Sequence, residues 1–261
     1  MIRERPLVLL VEYFWLTRHL QQCSASRFDR TLTVLDTLDV MHRRTRMFVR
    51  LGLEAENVMD EHEERFYLDH YDLVLAIQQE EARVLRRLSG RPVLVVPHGR
   101  PVVPVPRVGD RRSLRLGLVS SAGPLPRLSL RHFLGEHWGA LRQAMPDIEL
   151  HVFGTLCEDF AGDPVPPGVA MRGFAPDLAA AFAEIDVAIN PVLGATGLAI
   201  KSVDAVCHSR PLFSTTAGVA GSPPPMTSSS RGSGMSTRRT IRSSPSRGRS
   251  SGPSRRWTPS P

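Results

Sequence analysis

The chain is nearly without lysine: of its 33 basic side chains one, Lys201, is a lysine and the rest are arginines. Cysteine is as sparse. Cys23, Cys157 and Cys207 stand far apart with no C-x-x-C pair, an odd and scattered set that reads as reduced thiols of a cytoplasmic protein. No apolar run reaches the ~18 residues of a membrane-spanning helix. The apolar stretch 7–16 lies behind Arg3 and Arg5 but is broken by Glu12 and followed by no small-residue cleavage site, so it is not expected to be an export signal. The dinucleotide fingerprint G-x-G-x-x-G is absent, and so is a Walker loop, because Ile200 rather than Gly precedes Lys201 and Ser202. No D-x-D occurs. His132 and His137 flank Glu136 but stand five apart, on different faces of a regular helix and without a third ligand, so no metal site is expected there.

The net charge of +7 divides unevenly. Residues 222–261 hold eight arginines and no acid, leaving 25 basic and 26 acidic side chains for residues 1–221. The body is therefore near neutral. Thirteen Ser, eight Arg, seven Pro, four Gly and four Thr make up most of 222–261, and so little apolar surface cannot offset chain entropy. This tail is expected to be disordered, with weak charge-driven contact to nucleic acid or an anionic membrane as its only binding mode. Arginine, serine, proline and glycine are what GC-rich DNA yields when read off-frame, and the change of character is abrupt, so a frameshift product or an unrelated fusion is expected.

Residues 1–221 alternate short apolar runs with helical patterns. Runs at 7–11, 31–35, 73–77 and 92–97 read as buried strands, with helices at 14–22, 41–51, 60–70 and 79–88. The basic 41–51 helix reads as a solvated face, and the dense carboxylates of 60–70 as solubilising. A Pro- and Val-rich stretch, 101–110, has linker composition. A second alternation follows, with strands at 114–119, 149–153, 169–172 and 186–189 and helices at 130–144 and 176–184. Two sets of βαβ units joined by a linker predict an α/β chain with two parallel sheets. The expected boundaries are 1–100, 101–110, 111–221 and the tail 222–261.

The stretch that carries chemistry is 190–206, N-P-V-L-G-A-T-G-L-A-I-K-S-V-D-A-V. An apolar run meets a proline, passes Gly194 and Gly197, and turns into a helical pattern with Lys201 in its first turn. Strand, glycine turn and helix start together make an anion site, where free amides and the positive helix end point one way. A Gly-x-x-Gly turn before a helix is also common for no functional reason. The lone ammonium argues for function, as a compact point charge suited to phosphate in a chain that otherwise uses the guanidinium fork. Upstream, D-T-L-D-V at 36–40 puts Asp36 and Asp39 at the carboxyl end of a strand, where open α/β sheets bind ligands and where an Asp also caps helices.

G-A-T-G-L-A-I-K-S-V-D-A at 194–205, followed by R-P-L-F-S-T-T-A-G-V-A-G at 210–221, resembles the donor-sugar loop of retaining, glycogen-synthase-like GT-B glycosyltransferases. D-T-L-D-V and D-L-V-L-A-I-Q at 72–78 resemble elements of that family's first domain, with Leu38 where it carries His. The resemblance spans roughly 7–221 and implies two Rossmann-like domains, both incomplete, the chain starting in mid-domain and losing the end of the second. It implies a nucleotide-diphosphate sugar as donor, an acceptor that is a saccharide, a lipid-linked sugar or a small molecule, no metal and no separate cofactor. By the same resemblance Gly194, Thr196, Gly197, Leu198, Lys201 and Asp204 hold the donor, Lys201 facing the diphosphate and Asp204 the ribose. Asp36 and Asp39 face the acceptor, and Lys201, Asp204 and Asp39 are the candidate catalytic groups. Asp204 stands where the family uses Glu, and S-S-A-G-P at 120–124 replaces a glycine turn. A cytoplasmic place, peripheral at the inner membrane face, is expected. An inactive remnant of such an enzyme is the alternative, as is a basic-tailed protein that binds nucleic acid or anionic surfaces.

Overall fold

A computed structural model describes residues 6–17, 30–106 and 113–221. The expectations for the 222–261 tail lie outside these residues, as do parts of the helix expected over 14–22 and of the linker over 101–110.

The first sheet is parallel, with β1 (Val8–Glu12), β2 (Leu32–Asp36), β3 (Leu73–Ala76) and β4 (Val93–Val95) in sequential order. Three helices accompany it: α1 (Met41–Arg50), α2 (Glu61–Leu68) and α3 (Gln79–Leu88). Every step from strand to strand runs in one direction, so right-handed crossovers return on one face only. On that face Val11, Leu35, Val74, Ala76 and Val93 pack with Met41, Leu68, Leu85 and Leu88. On the other, Val8, Leu10, Leu32 and Leu94 stay 45–55% exposed, with no cover among the described residues.

Two sequence expectations change here. The basic helix α1 is not simply a solvated face, because Met41, His42 and Phe48 are buried. Nor are all the carboxylates of α2 solubilising. Glu64 is 3% exposed and accepts hydrogen bonds from the amides of Met41 (2.8 Å) and His42 (3.0 Å), the first two residues of α1. A carboxylate that meets orphan amides at a helix start satisfies them and suits the helix dipole.

The second sheet is also parallel, with β5 (Arg115–Val119), β6 (Glu149–Phe153), β7 (Val169–Gly173), β8 (Val187–Asn190) and β9 (Leu212–Ser214) in the order β7-β6-β5-β8-β9. From β5 the chain moves outward through β6 and β7, then returns across β5 to β8. This reversal puts helices on both faces. Leu130, Phe133 and Trp138 cover Leu118, Leu150 and Val152 in one core. In the other, Phe182, Ile185 and Ala205 pack with Phe153 and Ala188.

The helix expected over 130–144 begins earlier, as α4 (Pro124–Phe133), since a proline in the first turn starts a helix rather than breaking it. A π turn, Leu134–Trp138, then leads into α5 (Gly139–Ala144). Its wider winding corrects the reading of His132 and His137 as lying on different faces. Their rings meet edge to face with centroids 5.6 Å apart. The remaining α-helices among the described residues are α6 (Leu178–Ala183) and α7 (Ile200–Cys207). Among the described residues no helix is long and apolar enough to cross a membrane.

Candidate functional site

The carboxyl ends of β5 and β8 lie side by side where the winding of the second sheet reverses, the position at which open α/β sheets form a ligand crevice. A cleft of about 520 Å³ opens there. Ser120 and Ser121 line it from the end of β5, Asn190 and Val192 from the end of β8, and Arg44 and Met47 from α1 of the first sheet. It therefore lies between two α/β lobes. Gly194, Thr196, Leu198, Lys201 and Asp204 all line it.

Burial brings the Lys201 amine down to about 8 from the usual lysine range. Taking an ammonium from water disfavours its charge, and an anion in the cleft would restore it. The loop before it passes close to the first lobe at both of its glycines. Gly197 has φ +70°, and a Cβ there would lie 2.9 Å from the Leu38 carbonyl oxygen and 3.0 Å from Asp39 Oδ1. At Gly194 a Cβ would lie 2.5 Å from Met47 Sδ. Both glycines are thus points of contact with the first lobe.

The loop is braced from behind. Asn190 Nδ2 donates to Ser202 Oγ (3.0 Å) and to the Gly218 carbonyl (3.1 Å), tying the end of β8 to α7 and to the T-T-A-G segment. Thr215 Oγ1 donates to the Val192 carbonyl at 2.7 Å. These contacts give physical reasons for Asn190, Ser202, Thr215 and Gly218, which lie in the stretches the sequence singled out but to which it gave no individual role.

The amides of Gly194, Ala195 and Thr196 have no protein acceptor among the described residues. Gly197 differs from the expectation of a free amide. Its N–H donates to Glu81 Oε1 (2.7 Å) and its carbonyl accepts from Gln78 Nε2 (2.7 Å), both from the start of α3. The amides after β5 are occupied too, Ala122 by Thr155 Oγ1 and Gly123 by Asp159 Oδ2, each at 2.9 Å.

Asp204 lies in the cleft with its carboxylate 3.0 Å from Arg100 Nε, an ion-pair distance without hydrogen-bond alignment. Asp39 reaches the loop: it pairs with Arg44 at 3.2 Å, and the Thr196 hydroxyl faces it without hydrogen-bond geometry. Burial raises the Asp39 carboxyl above its ordinary value against the lowering effect of Thr196 and Arg44. Asp36 is not brought to the cleft. It lies at the end of β2 opposite Glu12, and burial, aided by the Glu12 charge, raises its carboxyl against a lowering backbone hydrogen bond. Among the described residues no group of three or more His, Cys, Asp or Glu side chains is placed to hold a metal ion.

Two parallel α/β sheets facing one another across a cleft at the second sheet's reversal define the GT-B fold of glycosyltransferases. No protein-family model and no curated protein sequence matches the chain. Solved structures do. TarM from S. aureus, in complex with fondaparinux, alpha-GlcNAc-glycerol and UDP, aligns with TM-score 0.58 at 10% identity, over 79% of this chain and 41% of its own. HepE from Anabaena, in complex with UDP and glucose, aligns with TM-score 0.57 at 16% identity, over 80% and 59%. Sucrose-phosphate synthase from Thermosynechococcus elongatus aligns with TM-score 0.56 at 14% identity, over 81% and 56%. The likeness is one of fold, and the chain spans between 41% and 59% of the length of these structures.

Proposed function

We propose that the cleft binds a nucleotide-diphosphate sugar and that the chain derives its chemistry from glycosyl transfer to a saccharide or other hydroxyl acceptor. The observation that carries this reading is the Lys201 amine in a cleft between two lobes, beside a glycine loop whose Gly194, Ala195 and Thr196 amides have no protein acceptor among the described residues. Lys201 neutralises the diphosphate as the sugar–phosphate bond breaks, charge placed where charge develops. Asp204 orients the ribose, Thr196 the sugar or phosphate, and Gly194, Gly197 and Leu198 shape the loop. Asp39 faces the acceptor side; Asp36, away from the cleft, acts there only if the acceptor is extended. Closure of the lobes excludes water and so favours transfer over hydrolysis.

Titration with UDP and GDP tests this. Saturable binding weakened by Lys201→Ala supports it, and unchanged affinity in the variant overturns the assignment of the loop. A second reading, a binding remnant without turnover, is favoured by the protein partners already held by Gly197, Ala122, Gly123 and Asp204. Release of UDP from UDP-glucose on adding acceptor saccharides separates the two, since a remnant binds UDP and releases none.

A further inference from the structure

The Gly197 peptide is held from both sides by the first turn of a helix more than a hundred residues earlier. Glu81 Oε1 takes its N–H and Gln78 Nε2 gives to its carbonyl, each at 2.7 Å. Glu81 Oε1 also accepts from the Val40 amide at 3.3 Å, so one buried oxygen joins the turn after β2, helix α3 and the glycine loop. The contact is dry: Glu81 is 4% exposed, and its second oxygen, Oε2, has no partner. Gln78 also packs on Gly221, where a Cβ would meet its carboxamide at 2.8 Å. Two residues of the first lobe thus fix both the start and the far edge of the segment that supports Lys201.

We propose that Glu81 and Gln78 form an interlobe clasp on Gly197 that positions the glycine loop, and that the clasp is gated by protonation of Glu81. The second half rests on what surrounds the carboxyl. Asp39 faces it from the turn after β2 and is itself paired with Arg44. Glu64 faces it from α2 and is hydrogen-bonded to His42. The loop of the second lobe offers it only backbone. With two carboxylates near and no cation in direct contact, burial and then the Asp39 charge push the Glu81 carboxyl up to about 7, against the lowering hydrogen bonds from the Gly197 and Val40 amides. If opening lets water reach Glu81, relief of its burial outweighs loss of the Gly197 hydrogen bond, so the proton is held more tightly in the closed clasp and closure is favoured below neutral pH. Raising the pH through about 7 leaves in the dry contact a charge met by two amides on one oxygen and by nothing on the other, and shifts the loop away from α3. Glu81 and Gln78 are positioning residues, since they touch the loop and not the cleft contents.

The positioning role rests on the donor-binding reading above, while the clasp itself is testable without ligand. Hydrogen exchange in the full chain, corrected for intrinsic chemistry, reads the peptides carrying Gly197 and Val40 at pH 6 and pH 8. Wild type is expected to be more protected at pH 6 in both peptides. Glu81→Gln keeps an acceptor oxygen without a charge and is expected to be equally protected at both. Gln78→Ala removes one of the two holds; the Gly197 peptide should then exchange roughly ten- to a hundredfold faster at both pH values, with Val40 little changed. Equal protection of wild type at the two pH values, or a Glu81→Gln variant that tracks wild type, overturns the gating. A Gln78→Ala variant with wild-type exchange at Gly197 overturns the clasp. UDP titration separates this from the functional reading. If wild type binds no UDP, donor binding fails while the exchange result stands. If UDP binds with Lys201 dependence but Glu81→Gln and Gln78→Ala leave its affinity and pH profile unchanged, the clasp exists and does not position the loop.

Discussion

Arg100, from the segment joining the two sheets, sets its Nε 3.0 Å from Asp204 Oδ1 on α7. The arginine is more exposed than the acid, at 39% against 13% for the side chains, so the pair protects the carboxylate more than the guanidinium. Without Arg100 an uncompensated negative charge would face any diphosphate in the cleft. Arg100→Ala is therefore expected to weaken UDP binding by roughly three- to tenfold and uridine binding hardly at all. Calorimetric titration with both ligands checks this, and equal losses for the two would show that Arg100 acts on the nucleoside instead.

Lys201 gives the cleft a pH profile. Its amine, lowered to about 8 by burial, is mostly protonated at neutral pH. A bound diphosphate favours the charged form, so affinity is full below about 8 and falls as pH rises above it. Lys201→Ala is expected to cost about 1.5–3 kcal/mol of UDP binding and to abolish the fall above pH 8. Titrations at pH 7, 8 and 9 in both proteins provide the test.

Gly197→Ala combines a positive φ with a collision against first-lobe backbone. An alanine there carries a strain of about 1–3 kcal/mol, and the Leu38 carbonyl has no flexible end with which to yield. Thermal melting is expected to fall by several degrees, with UDP affinity lost in parallel. A variant with unchanged melting temperature and affinity would mean the loop has room that the structure denies it.

Glu64→Ala would leave the amides of Met41 and His42 unpaired at a buried helix start. Each such group costs about 1–3 kcal/mol when it is stranded, so a loss at the upper end of that range is expected in chemical denaturation. Glu64→Gln, which still accepts, should recover part of it.

How much of this was legible in the sequence varies with the range of the interaction. Strand after strand followed from local apolar runs such as V-L-L-V and L-V-L-A, although the expectation of buried strands holds for only one face of the first sheet, where Val8 and Leu10 stay exposed on the other. The glycine loop and Lys201 were legible because their chemistry is local to a dozen residues. Glu81 and Arg100 were not, nor was the contact made by Gln78 at the end of D-L-V-L-A-I-Q: their partners lie roughly a hundred residues away, and no local pattern points to them. Asp36 and Asp39 show the limit most clearly. They share one short motif, yet three residues of spacing carry Asp39 to the loop and leave Asp36 beside Glu12. The π turn that joins His132 to His137 left no sign in a pattern read with regular helical winding.

A chain with a single lysine carries its own reporter. Besides the α-amino group, Lys201 is the one amine that an acylating reagent can modify. Mass spectrometry of the intact chain would then read occupancy of the cleft directly, because whatever shields that nitrogen slows the gain of the second label.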